Sequence, residues 1–329
     1  MIRRRHIPAV PVVAAVGALA LLAGCSSSDT SPSTEPTYTI GILEIAQAQL
    51  LDDIVAAFSE AVEEGLGDQA TVEFDIKNAN GDQSLITSIV RDFASSDYDA
   101  FAVLGTPAVI AAAAQITDRP IFALAMGDPV GAGVAESLEE PGGNVTGSVD
   151  YVEPALLLDD ILVIHGDVGT IGTLYDPSNQ NMQVWTDALR VATADAGLEL
   201  VESTIATSAE VSQSARSLVG RADVVLVGPD AMVVAGMDAV GAAMSGDDIP
   251  LYVVGGDLSI PGVLASLGPD YLELGSAAGA GAVEVLLGAD PGSIPFVVPS
   301  GLEIGLNTAY AEELGVVVPA ELADRVVEF

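Results

Sequence analysis

Residues 100–125, AFAVLGTPAVIAAAAQITDRPIFALA, decide the fold. Residues 100–104 and 121–125 are short runs with no polar member, too brief for helices and apolar on both faces. They read as strands buried inside a parallel sheet. Between them Gly105 breaks the first run, and residues 107–116 form an alanine-rich helical run that opens on Pro107, a residue suited to the first helical position. Strand, helix and strand in that order make a crossover unit, in which the second strand lies parallel to the first.

The same alternation extends in both directions. Residues 38–43 and 71–76 are β-like, with helical runs at 48–64 and 83–95. A second series follows, with strands at 170–175, 198–205, 223–227 and 251–254 and helices at 179–196, 209–219 and 231–244. Residues 142–150 (GGNVTGSVD) read as the first crossing between the two series. The tail carries a small-residue helix at 271–287, an extended segment at 293–303 and short helices at 309–314 and 319–327. A tail of that kind crosses back over both units. The expected fold is α/β, with two Rossmann-like lobes of parallel sheet joined by a multi-crossing hinge. Lobe 1 takes residues 38–148 and about 266–300, and lobe 2 takes 149–265 and about 301–329. Ligands of open parallel sheets bind beyond the carboxyl ends of the strands, so the loops after each strand should wall the cleft.

The N-terminus has a separate logic. Arg3, Arg4 and Arg5 precede an apolar run from residue 9 to 22, which closes in Leu22-Ala23-Gly24-Cys25. Basic start, short apolar core and small residues form an export signal over residues 1–24. Cys25, the only cysteine of 329 residues, stands where lipoprotein processing leaves a lipid-bearing cysteine. Residues 25–37, rich in Ser, Thr and Pro, form a tether. The expected location is the outer face of the cytoplasmic membrane, anchored by lipid.

Removal of the three signal arginines takes the formal charge from −37 to −40. Such a surface repels nucleic acid and anionic headgroups. Lys77 and six arginines are the strong cations that remain, too few for a phosphate clamp. Enzyme chemistry also lacks its usual parts. His165, the one histidine beyond the signal, is expected in a helix-to-strand loop with no nucleophile elbow near it, and no P-loop, dinucleotide fingerprint, zinc spacing or calcium loop is present. No cofactor and no metal is implied. Trp185 lies within a helical run and reads as core.

IGILEIAQAQLLDD (40–53), NANGDQS (78–84), GTPAVIAAA (105–113), AMGDPVGAGVAESLEEPGGNVTGSVD (125–150), YDPSNQN (175–181), VGPDAMV (227–233) and GVLASLGPDYLELG (262–275) occur in an order that resembles the tryptophan/tyrosine-type ABC transporter substrate-binding proteins. That resemblance implies a type I periplasmic-binding-protein architecture. It also implies capture of a solute outside the cell and its delivery to an ABC permease in the membrane.

An amino acid needs acceptors for its ammonium and hydroxyl, amide or helix-start donors for its carboxylate. Thr106, between a strand and the helix opened by Pro107, is the expected carboxylate donor. Asp128 and Asp230 occupy equivalent strand exits in the two lobes, and each suits either an ammonium or a helix cap. Asn181 matches an Asn of the family's Tyr-Asn-Pro-x-x-x-Asn-Ser motif, although Met182 stands for its Ser. Gln47 and Gln49 present amides in the first loop, where the family has His-Pro and this chain has Ala48-Gln49. Gly256, in Gly255-Gly256-Asp257, allows backbone to approach a ligand. A small solute is expected in the cleft, an amino acid first, with aromatic ones among the candidates. A nucleoside or another small polar solute suits the same cleft, and a sensor lipoprotein without transport is the alternative of a different class.

Overall fold

The computed structural model describes residues 35–299 and 301–328; the expected signal segment, Cys25 and residues 25–34 of the tether lie outside them. The first sheet is built by β1 (Thr37–Glu44), α1 (Gln49–Leu66), β2 (Thr71–Asn78), α2 (Gln83–Ala94), β3 (Ala100–Leu104), α3 (Thr106–Ala113), β4 (Ile121–Met126) and β5 (Val145–Val149). Its strand order is β2-β1-β3-β4-β5, and every pairing is parallel. Every residue of β3 and β4 is buried, as strands covered on both faces by helices must be. Phe58, Phe93, Phe101 and Phe122 fill the core around them.

The chain then enters α4 (Pro154–His165), β6 (Thr170–Tyr175), α5 (Gln180–Asp195), β7 (Glu199–Thr204), α6 (Val211–Arg216), β8 (Val224–Val227), α7 (Ala231–Val234), α8 (Met237–Ser245), β9 (Leu251–Val254) and β10 (Val263–Gly268). It returns to the first sheet as α9 (Tyr271–Leu286) and ends in β11 (Glu303–Leu306), α10 (Thr308–Leu314) and β12 (Val326–Glu328). The second sheet has the order β12-β11-β10-β9-β8-β6-β7, parallel except between β10 and β11. Trp185 is wholly buried there, and its indole N–H donates to the Val152 carbonyl at 3.1 Å. Arg325 donates from both terminal nitrogens to the buried Asp160 of α4, which fastens the last residues to this lobe.

Residues 142–150 are a strand as much as a crossing. β5 is composed of Val, Thr, Gly, Ser and Val, yet all five residues are buried. The hydroxyl of Thr146 donates to the Ile294 carbonyl, and Ser148 Oγ accepts from the Ala125 N–H. A Cβ at Gly147 would lie 2.0 Å from the Ala123 carbonyl oxygen, so this edge of β4 accepts only glycine there. Small polar residues hid a core strand, and the first crossing begins at Asp150. The second crossing lies between Gly268 and Tyr271, past the expected return at about 266, because β10 pairs with β9 and β11 as far as Gly268. The third follows Val297, whose backbone exchanges hydrogen bonds with Gly147 and Val149.

Three other expectations change. The helix expected over 231–244 is two, because the chain breaks at Gly236, where a Cβ would sit 2.8 Å from the Val211 side chain. Residues 319–327 make a 3₁₀ turn and then β12, whose backbone finds a partner in β11. His165 ends α4 and does not lie in a loop; its Nε2 is 2.8 Å from the Tyr252 hydroxyl. Among the described residues no helix is long and apolar enough to cross a membrane.

Candidate ligand-binding site

The loops that leave β1, β3, β4 and β5 meet those that leave β6, β8 and β9 around a cavity of about 510 Å³, mouth included. α1 supplies Leu50, Leu51 and Ile54 to the wall, and Val254 faces them from the second sheet. Polar side chains are few: Thr106, Asp150, Asn179, Asn181 and Tyr271. Among the described residues that line the cavity there is no Lys, Arg or His. Ala125, also in the wall, holds φ at +52°, a conformation that costs a non-glycine residue about 1–3 kcal/mol and is found where backbone is shaped for a ligand.

Thr106 is the first residue of α3, and Gly105 with φ of +95° occupies the cap position. Its hydroxyl oxygen accepts from the Gly127 N–H at 3.2 Å, which leaves its own proton to donate. Asn181 is the second residue of α5; Asn179 caps that helix by accepting from the Asn181 N–H. The Asn181 side chain lies so close to Gly127 that a Cβ there would be 1.6 Å from Oδ1, so the two lobes touch at this point. Asn181 Oδ1 is buried with no hydrogen-bond partner among the described residues.

Gln47 and Gly256 come together, but in an outer chamber that shares only Leu50 and Val234 with the cavity. Asp128 is placed away from it, where its carboxylate accepts from the Gly131 N–H at 2.8 Å. Asp230 is buried behind the wall and does not face Thr106 across the cavity. Its Oδ1 accepts from the Met232 and Val233 N–H groups at the start of α7, and its Oδ2 accepts from the Asp176 N–H at 2.7 Å. Burial pushes this carboxyl up to about 6 against the downward pull of those three amides. A strand-exit aspartate can turn toward the cleft or toward its own helix, and Asp230 turns to the helix.

The carboxylate that does enter the cavity is Asp150, at the exit of β5. Its Oδ1 is buried without a partner among the described residues, and its Oδ2 has the Tyr271 hydroxyl at 3.5 Å. Burial raises its carboxyl to about 7, and no charged side chain offsets that effect. Tyr271 begins α9 and is itself pushed well above the ordinary phenol range by burial and by Asp150. Neither residue was a sequence candidate. The rule that selected Asp128 and Asp230, a carboxylate at a strand exit, also selects Asp150 once residues 145–149 are known to be a strand.

Two parallel-sheet lobes, three crossings and a cavity between the strand exits define a type I periplasmic-binding-protein fold. The chain belongs to the ABC transporter substrate-binding protein family, whose model matches residues 39–328. It is 34% identical over 316 residues to a tyrosine-binding protein of Clostridioides difficile strain R20291, covering 93% of this chain and 91% of that relative. A domain from Streptococcus pneumonia in complex with L-Trp is 28% identical, with a TM-score of 0.82 over 89% of this chain and 99% of that one. The ligand-free, open structure of a substrate-binding protein with adhesive properties from Clostridium difficile is 32% identical with the same coverage, yet its TM-score is 0.64. The TM-score is thus higher for the L-Trp complex than for the open structure, and the lobes here touch at Gly127 and Asn181.

The Asp150 environment has a measurable consequence. With the folded value raised to about 7 and the unfolded value near 4, the folded state holds the extra proton between those limits. Its contribution to stability thus falls as pH rises through that window, and at pH 8 the buried charge is carried in full. Asp150→Asn removes it. Thermal melts of the ligand-free protein should show the variant more stable than wild type by on the order of 2–4 kcal/mol at pH 8, with the gain gone near pH 4. Equal stability at both pH values would contradict the buried, unpaired state of this carboxyl.

Proposed function

We propose that this substrate-binding protein is a lipid-anchored receptor on the outer face of the cytoplasmic membrane, which captures an aromatic L-amino acid and delivers it to an ABC permease. The observation that carries the reading is the pair of buried acceptors without partners, Asp150 Oδ1 and Asn181 Oδ1, in one cavity with a free Thr106 proton. An ammonium is the group that two such acceptors suit. Its charge offsets the cost of ionising Asp150 in a dry site, a cost that a neutral hydroxyl leaves standing. The ligand carboxylate then meets the Thr106 hydroxyl and the positive end of α3. Leu50, Leu51, Ile54 and Val254 receive the side chain by burial of apolar surface. The relatives named as tyrosine-binding or solved with L-Trp support this ligand class over a nucleoside. The reading assigns the chain binding and delivery, and no catalysis.

Calorimetry with L-tryptophan, L-tyrosine, L-phenylalanine, their N-acetyl derivatives and a set of nucleosides tests the assignment. At least one free aromatic amino acid should bind at one per chain. Its N-acetyl derivative should bind at least about thirtyfold more weakly, because acetylation removes the charge that Asp150 requires. Equal affinity for both forms, or binding confined to nucleosides, would refute the amino-acid reading.

Cys25 carries the anchor in this proposal. Cys25→Ala should therefore move the protein from the membrane fraction to the medium with loss of lipid by mass spectrometry. Retention in the membrane without the cysteine would show that the anchor lies elsewhere.

A further inference from the structure

Tyr271 occupies a junction that ligand contact alone does not explain. It is the first residue of α9, directly after the second crossing, and its ring belongs to the core of the first lobe. Its hydroxyl points at Asp150, which opens the first crossing. Its ring also lies against Gly255, the residue that leaves β9 in the second lobe. Gly255 has φ of +65°, and a Cβ there would lie 2.2 Å from the ring edge. One side chain thus touches two crossings, both lobes and the cavity.

The contact with Asp150 is loose. At 3.5 Å it lies at the outer limit of a hydrogen bond, whereas a hydroxyl bonded to an ionised carboxylate settles at about 2.5–2.7 Å. Ionisation of Asp150 therefore leaves room for close to an ångström of tightening. From the geometry we propose that Tyr271 is a positioning residue that couples the ligand's ammonium to the seating of the hinge. When an ammonium reaches Asp150 Oδ1, the carboxylate forms and Oδ2 draws in the Tyr271 hydroxyl. The ring, already seated on Gly255 with the lobes in contact at Gly127 and Asn181, then fixes the start of α9 against the exit of β9. Ligand charge thereby stabilises the closed setting of the lobes at the point where two crossings meet, and the bare glycine is what lets the ring seat.

This role rests on the reading of the cavity as an amino-acid site. Tyr271 is the titratable group that contacts the Asp150 carboxyl, from α9; Thr106 of α3 and Asn179 and Asn181 at the start of α5 bring polarity and no charge. Its hydrogen bond favours the ionised carboxylate, so its loss lifts the Asp150 carboxyl further above its ordinary range.

The test uses the wild type, Tyr271→Phe and Gly255→Ala with the aromatic amino acid that the wild type binds best. Calorimetry from pH 5.5 to 8.5 is paired with small-angle scattering in the presence and absence of that amino acid. Tyr271→Phe keeps the ring and should bind about fivefold more weakly at pH 7, the worth of one hydrogen bond. The pH below which its affinity declines should move upward from the wild-type position. Gly255→Ala, which obstructs the ring, should remain expanded at ligand saturation where the wild type contracts. A Tyr271→Phe pH profile superimposable on the wild type would overturn the coupling, as would full contraction of Gly255→Ala; if either variant fails to fold, the other decides. Absence of binding by the wild type to every aromatic amino acid would instead contradict the functional reading itself.

Discussion

A carboxyl buried without a cation beside it is a costly feature, and Asp150 is such a group at the point where the chain first leaves the first sheet. Its position follows from the parallel architecture. Parallel strands end on one edge, and β5 is the last of the first sheet, so its exit residue stands at the mouth of the cleft and on the hinge together. The sites that surround it share this origin. Thr106 leaves β3, Asn181 follows β6 and Gly255 leaves β9, so residues distant in sequence converge on one cavity without any of them lying in a dedicated loop.

The chemistry of the cavity is one of partial satisfaction. Asp230 and Asn179 have oxygens committed to backbone amides at the starts of α7 and α5, and they hold those helix ends in place. Asp150 and Asn181 each keep an acceptor oxygen without a protein donor. The division separates groups that build the walls from groups that await a partner, and it makes a cationic donor the natural complement. The acidic surface charge of the chain does not bear on this choice, because the cavity is lined mainly by aliphatic side chains and its one carboxylate acts at short range.

Most of the fold was legible from periodicity. The all-apolar strands at 100–104, 121–126, 224–227 and 251–254 are unambiguous because a strand buried on both faces admits no polar residue unless its hydrogen bonds are met. β5 breaks that expectation through Thr146 and Ser148, whose oxygens find backbone partners. β10 begins beside Pro261 and Gly262 and contains Ser266, whose Oγ accepts from the Gly256 N–H, and the sequence reading assigns no strand there. The site was legible to the same depth. Thr106 and Asn181 stand in the cavity; Asp230 was recognisable as a strand-exit carboxylate, but the direction in which it turns depends on the amides of Asp176, Met232 and Val233. Asp150 stayed hidden because its strand did.

The most direct measurement is the structure of the protein with its bound amino acid at a resolution that separates the ammonium from the carboxylate. The ammonium nitrogen should lie within about 3 Å of Asp150 Oδ1 and within reach of Asn181, with the Tyr271 hydroxyl closer to Oδ2 than the present 3.5 Å. An ammonium held elsewhere, with Asp150 still without a charged partner, would contradict the central role given to this carboxylate.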